Sequence, residues 1–522
     1  MSMLQPIRLK RSAKREEIAQ GRSSPAPIRG WNTRDPWASM SEGYALTLDN
    51  WWPTSGNVEV RKGSSAHATG MTGPVKSLAT WQGPTSSKLF GFTDAGAFDV
   101  TAAGAVGAVS RALTEGYVNT VNFTTSGGHF LVVVNGIDDL VYYNGTVWAT
   151  TANFPITGGG TLLSKDIDNI NAFKRSLFFI EKNTMNFHYL PIDSITGTVG
   201  KFPLGALFVK GGHLVAMGTW TVDGGIGPED YSAFVTSEGQ VAVYAGTDPT
   251  SVTTWSLKGV YDVDPPLGQK CFRKYAGDLL LLTRRGLLSL TNSLRDGALD
   301  PSKSLSGVIG EAFLSASSFT GTKQGWEVIE QPDFNALIVN VPTEEFVFSH
   351  QYVMNTLTGA WARFKGWDGF ALCYYEKTLY MATVNGVNKL WQIGNDDNAS
   401  ITAEARGAFN YYTPRSRLKK WSLVRPNLLI SGVVAINVGL DTDFRLGMEY
   451  GPAIFNNAPT ARWDIARWDS AQWSSEAAMR LDWVTAAADE SYCAAIRLRV
   501  IMRDATISWS ATDVIYEEGS LF

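Results

Sequence analysis

LLLLTRRGLLSL, residues 279–290, is two apolar runs hinged on Arg284, Arg285 and Gly286. Four leucines, a turn containing glycine and a second run of three leucines and a serine read as a β-hairpin. Working outward in both directions, the unit recurs at 89–100 (turn at 93–96), 129–143 (turn at Asn135 and Gly136), 176–190 (turn at Glu181, Lys182 and Asn183), 233–244 (turn at 237–239), 336–348 (turn at Glu344 and Glu345) and 379–393 (turn at Asn385 and Gly386). The units start at Lys88, His129, Ser176, Ala233, Leu279, Asn335 and Leu379, 41 to 57 residues apart. Propeller blades repeat at about 40–50 residues. The spacing therefore predicts an all-β chain whose residues 75–394 form a β-propeller of six or seven blades. The count turns on the unit at Asn335, the poorest of the set, and on whether the ring closes with a strand borrowed from the N-terminal segment. A series of β-sandwich hairpins has the same periodicity and is the competing fold.

Composition agrees with an all-β reading: of 522 residues 51 are glycine, and aromatics make up 12%. Tryptophans follow several hairpins, at Trp148, Trp255 and Trp361. Large flat side chains at those positions are expected between neighbouring sheets. No long amphipathic helix is expected in 75–394, and a short one is placed within 296–314.

The period breaks at Gly394, Asn395, Asp396, Asp397 and Asn398, a polar turn taken as a domain boundary. Residues 395–522 then read as a C-terminal β-sandwich-like domain, with strands at 403–410, 428–440, 492–502, 506–509 and 513–516. Ahead of the propeller, residues 1–25 read as a basic, mobile arm, with no apolar stretch of the kind a secretory signal requires. Residues 26–74 read as an N-terminal clamp segment. The formal charge is −4, and residues 1–22 hold six Lys/Arg against Glu16 and Glu17, so the body stands near −8. That is the wrong sign for gripping DNA by counterion release. It suits a wall past which DNA slides.

Chemistry-bearing motifs are sparse. Cys271, Cys373 and Cys493 lie about a hundred residues or more apart and read as buried small hydrophobes. His67, His129, His188, His213 and His350 are isolated, with no paired-ligand spacing. No P-loop and no nucleophile elbow is present. Acidic loops at 138–139, 166–169 and 396–398 lack EF-hand spacing and read as turns. No apolar run approaches the roughly 18 residues of a membrane span. Neither a catalytic residue, a metal nor a cofactor is assigned. In the C-terminal region, Trp463, Trp468 and Trp473 recur at a period of five. Five matches neither strand nor helix. The triplet reads as a loop docking on a neighbouring subunit, a candidate assembly interface, or as a loop folded over its own domain.

Residues 30–63, GWNTRDPWASMSEGYALTLDNWWPTSGNVEVRKG, carry four tryptophans, a short alternating run at 44–50, a turn at 55–57 and a strand at 58–61. The run MSEGYALTLDNWWPTSGNVEVRKG resembles the opening of the tail nozzle proteins of short-tailed bacteriophages, the tail tubular protein B type. Ala45, Leu46, Leu48, Asp49, Asn50, Gly56, Val58, Arg61 and Gly63 occupy that signature. The resemblance implies a virion structural protein, made in the host cytoplasm and incorporated into the tail. It implies a self-assembled ring of six copies attached to a tail adaptor protein, with a tail fibre or spike as a further partner. DNA would leave through its gated channel without specific binding. Two alternatives of other classes stay open: a carbohydrate-binding, receptor-recognising propeller, and a propeller glycosidase with two carboxylates on the axis.

Overall fold

The computed structural model describes residues 19–223, 228–251, 253–292, 304–413, 415–447, 454–456, 478–480, 482–486 and 488–519. Each hairpin of the sequence becomes the second and third strands of one antiparallel strand set. The second strands are Ser87–Thr93, Gly128–Val134, Ser176–Glu181, Pro228–Thr236, Asp278–Thr283, Ala336–Glu344 and Thr378–Thr383. Inside each lies a further strand: Ser77–Gln82, Asn119–Thr125, Ile167–Phe173, Leu214–Asp223, Phe272–Tyr275, Glu327–Gln331 and Ala371–Tyr375. These inner strands touch in a closed circuit, each lying against the next blade and the seventh against the first. The chain is therefore an all-β protein with a seven-bladed propeller. The unit at Asn335 is a full blade, with strands of nine and eight residues.

Neighbouring blades bury mixed apolar faces. Trp148 of blade 2 packs on Phe90 of blade 1 at 5.1 Å between ring centres, and Trp255 of blade 4 stacks near Phe178 of blade 3 at 6.2 Å. The turns of blades 1, 4, 5 and 7 share one pattern, threonine to glycine three residues on: Thr93 to Gly96, Thr236 to Gly239, Thr283 to Gly286 and Thr383 to Gly386. All four glycines have φ between 79° and 147°. A Cβ on any of them would sit 2.0–2.3 Å from an atom of the segment crossing outside: Arg111 O, Val263 O, Ser306 Oγ or Ala68 O. Only glycine lets the outer segment approach that closely.

Blade 7 obtains its fourth strand from far upstream: Ser64–Thr69 pairs antiparallel with Gly386–Leu390. Blade 5 has three strands among the described residues. The backbone of Leu287 is instead met by serines: its N–H donates to Ser306 Oγ (2.9 Å), and Ser304 Oγ donates to its carbonyl (2.6 Å). Beyond them runs α1 (Gly310–Thr320). It begins within the stretch 296–314 where a short helix was expected and runs on past it, and Ala312 N in its first turn donates to Thr33 Oγ1 at 3.3 Å.

Both chain ends build the second domain, which has two sheets. One continues blade 6 through Gly30–Trp31, Tyr44–Asp49, Ile401–Gly407, Ala494–Met502, Val434–Thr442 and Ile454–Asn456, making ten strands in all. The other, of seven strands, centres on Lys419–Ser431 and Thr506–Glu518, with Trp51–Pro53 and Val58–Val60 along its edge. Alternating burial along Ile401–Gly407 and Val434–Thr442 is that of a sheet with one face in a core. Leu48, Trp51, Val58, Leu428, Leu498 and Trp509 fill the space between the layers.

This architecture divides the segment expected as a clamp: residues up to 60 belong to the sandwich, whereas 64–69 belong to the propeller. It also corrects the extent of the arm. Gln20–Pro25, placed within it, is a strand paired along 511–516. Residues 1–18 lie outside the described residues.

Candidate functional site: the joint between sandwich and propeller

The residues that carry the tail-protein resemblance meet at the place where the chain changes sheet. Tyr44–Asp49 lies in the ten-stranded sheet and Trp51–Pro53 in the seven-stranded one. Asn50, between them, turns the corner with φ 61°. Asparagine tolerates that left-handed conformation better than other side chains that have a Cβ. Leu48 is fully buried in the core beneath the corner.

The Asn50 side chain then fixes three segments. Its Nδ2 donates to Thr402 O (2.8 Å), while its Oδ1 accepts from Arg61 Nε (2.9 Å) and from Lys365 N (2.7 Å). Asp49 takes a two-point hydrogen bond from Arg363 (2.7 and 2.9 Å) and an ion pair from Lys365 Nζ (2.7 Å). Arg363 and Lys365 belong to the end of blade 6, so both residues of the corner grip the propeller.

Arg61 is the centre of the arrangement, with a side chain of zero exposure. It gives Nη1 to Asp396 Oδ1 (2.9 Å) and Lys62 O (3.0 Å), and Nη2 to Asp396 Oδ2 (2.7 Å) and Lys365 O (2.6 Å). Its guanidinium lies 4.8 Å from the Trp367 ring centre. A buried charge with every donor direction answered and an aromatic face below it is the arrangement in which arginine is not replaceable by lysine. Gly63 follows with no room for a side chain: a Cβ there would fall 1.8 Å from Asn395 O. Its N–H donates to Ile393 O at 2.6 Å, which starts the strand that closes blade 7.

The structure thus brings Leu48, Asp49, Asn50, Arg61 and Gly63 into one joint, and adds Arg363 and Lys365, which sequence reading did not select, and Asp396, which it read only as part of a polar turn at the domain boundary. Gly56 does not join them: it sits in an open turn with nothing within 4 Å of a Cβ. Trp463, Trp468 and Trp473 lie outside the described residues.

A second polar cluster, also missed, lies between the inner strands of the propeller. Lys270 Nζ is 3.3 Å from Ser77 Oγ, 3.9 Å from Glu327 Oε2 and 4.9 Å from the Tyr117 ring centre. Leu372 N donates to the other Glu327 oxygen. Burial raises the Glu327 carboxyl and lowers the Lys270 ammonium, each against the pull of its partner. Burial, with Glu327 adding to it, pushes the nearby Cys373 thiol up to about 12. That keeps it a thiol at neutral pH, the wrong form for a nucleophile. No signal in the sequence marks this pair, since the strands concerned, FRKY at 272–275 and EVIEQ at 327–331, carry several other charged and polar residues. Among the described residues no group of three or more His, Cys, Asp or Glu is placed to hold a metal.

No protein-family model matches the sequence, and no curated protein sequence matches it. Solved structures similar in outline include Saccharomyces cerevisiae Sqt1, at 14% identity and a TM-score of 0.37, covering 67% of this chain and 86% of that one. The Myceliophteria thermophila Cps50 (Swd1) β-propeller domain is similar at 11% identity and a TM-score of 0.38, covering 62% of this chain and 99% of that one. The propeller assignment rests on the closed circuit of inner strands and not on these likenesses.

Proposed function

We propose that this chain is a virion structural protein, a subunit of the distal nozzle ring of a short phage tail. In this reading six copies surround a channel, an adaptor protein holds the ring to the tail, and DNA passes without being retained. The observation that supports it is the joint. The short segment carrying the nozzle resemblance supplies Asp49, Asn50, Arg61 and Gly63, which lock sandwich to propeller through a fully buried guanidinium. A subunit that transmits load between an adaptor and a ring needs two domains that do not swing. Interfaces inside multidomain chains commonly allow motion, which a buried, fully bonded guanidinium across this one opposes.

Electron microscopy of the purified protein, alone and mixed with tail parts, tests this: rings are expected, and monodisperse single particles under both conditions would overturn it. The Trp463, Trp468 and Trp473 segment sharpens the test. Changing all three to alanine is expected to abolish ring or adaptor assembly while the monomer stays folded, since hot-spot tryptophans contribute about 2 kcal/mol or more each. Infectious tails assembled from the triple variant would remove the docking role of these residues. Protein lacking the basic N-terminal residues is expected to show no measurable affinity for duplex DNA at physiological salt.

A further inference from the structure

Before its inner strand begins, blade 5 sends out a short finger. Leu267 N donates to Leu282 O (3.1 Å) and Leu282 N donates to Cys271 O (2.8 Å), so the chain leaves one point of the blade and returns to it four residues later. Leu267 and Cys271 are fully buried at the base. Gly268, with φ 72°, turns the chain, and Gln269 and Lys270 form the tip.

The polar contacts of the tip go to four other blades. Gln269 Oε1 accepts from Asn119 Nδ2 (2.7 Å), at the start of the inner strand of blade 2, and Gln269 O accepts from Asn169 Nδ2 (3.2 Å) on that of blade 3. Lys270 Nζ donates to Ser77 Oγ (3.3 Å), the first inner-strand residue of blade 1. It also lies 3.9 Å from Glu327 Oε2, the first inner-strand residue of blade 6. Glu327 passes the connection on, because its other oxygen accepts from Leu372 N of blade 7. In a ring of seven blades, only a point on the axis is within bonding distance of inner strands on opposite sides. The finger therefore lies across the axis. Ser77, Asn119, Asn169 and Glu327 are all buried, so a bond lost at the tip is not simply replaced by one to bulk water. The rim strand Ser64–Thr69, by contrast, pairs with the outer edge of blade 7 alone.

We propose that Leu267–Cys271 is an axial latch, a second closure of the propeller that keeps blade 1 against blades 6 and 7 when the rim strand is displaced. Opening the ring then requires both closures to fail. The proposal does not depend on the nozzle reading.

The test is amide hydrogen exchange of the full chain, read by mass spectrometry at the inner strands on either side of the seam, Ser77–Gln82 and Ala371–Tyr375. Gly386→Val displaces the rim strand, since a Cβ there would fall 2.1 Å from Ala68 O; Ala68→Pro is added if exchange at 64–69 does not rise. Gln269→Ala with Lys270→Met empties the tip, and Gln269→Ala alone replaces the pair if the pair does not fold. The rim variant is expected to speed exchange at 64–69 at least tenfold and at the inner strands less than threefold. The latch variant should also speed the inner strands less than threefold. Combined, the two should speed them at least tenfold, more than the product of the separate effects. A rim variant that is unfolded, or whose inner strands exchange as fast as in the combined variant, would overturn the latch. A combined effect no larger than the product would overturn it too, leaving closure to the apolar seam of Leu78, Leu89, Ala371 and Tyr375.

Discussion

Blades 5 and 7 start from the same design and finish differently. Each has a hairpin with the Thr-x-x-Gly turn, at 283–286 and 383–386, and in each the threonine hydroxyl donates to the glycine carbonyl at 3.0 Å. Blade 7 then receives a whole backbone strand, Ser64–Thr69, and its edge is sealed by a ladder. Among the described residues, blade 5 is met at Leu287 by two serine hydroxyls, with a helix beyond them. A strand satisfies every edge group at once, whereas side chains satisfy them singly and leave the rest of the neighbouring face open. The difference sets a blade sealed by a strand from far upstream against one whose described edge is met by side chains.

If that contrast is correct, the two closures should differ in how much a single change costs. Arg61→Met should have the largest effect, about 3–5 kcal/mol, because it leaves Asp396 and the Asn50 oxygen facing a hole where a buried charge stood; denaturant unfolding measures it. Gly63→Ala should follow at about 3 kcal/mol or more, since the backbone at Asn395 must move. Gly56→Ala, in the same segment, should change the midpoint by no more than about 0.5 kcal/mol.

Acid should act on the blade 5 side. Burial, together with the charges of Arg363 and Lys365, pushes the His350 imidazole down to about 4. A histidine whose folded value lies below its unfolded one contributes fully above about pH 6.5, loses that contribution as pH falls toward 4 and has none left to lose below. The loss is at most about 3 kcal/mol. His188, also lowered chiefly by burial, contributes in the same direction. Melting curves at pH 7 and 4.5 should therefore differ less for His350→Phe than for the wild type. Ser306→Ala, which strands the buried Leu287 N–H, should cost about 1–2 kcal/mol. A cost equal to that of Arg61→Met would erase the distinction between the two closures.

How far the sequence revealed this depends on whether a residue's role is local. All seven hairpins were legible, because alternating apolar runs around glycine turns are decided within a dozen residues. Closure by the strand Ser64–Thr69 was foreseen only as an open choice. Its sequence, SSAHAT, is polar and reads as nothing until it is set against Gly386–Leu390. The joint was half legible. The motif marked Asp49, Asn50, Arg61 and Gly63, but their partners stand more than 300 residues away: Arg363 and Lys365 look like ordinary surface charges, and Asp396 was legible only as part of a polar turn. The Lys270 and Glu327 pair was hidden for the same reason. The glycine of the Thr-x-x-Gly turns was visible as a turn residue, and its second duty, admitting the outer segment, needed the structure.

The borrowed strand also sets a timetable. Ser64–Thr69 leaves the ribosome long before Gly386–Leu390, and Gln20–Pro25 must wait for residues 511–516 near the other end of the chain. At about 5–20 residues per second these early strands spend tens of seconds without partners. Contacts this distant in sequence also form slowly once both sides exist. Synthesis therefore passes through a long interval in which the propeller is an open arc with an unpaired edge at each end. The propeller can close once Gly386–Leu390 meets Ser64–Thr69, whereas the sandwich must wait for Ala494–Met502 and Thr506–Glu518, so a chain truncated between them would hold a closed ring with unpaired sandwich strands.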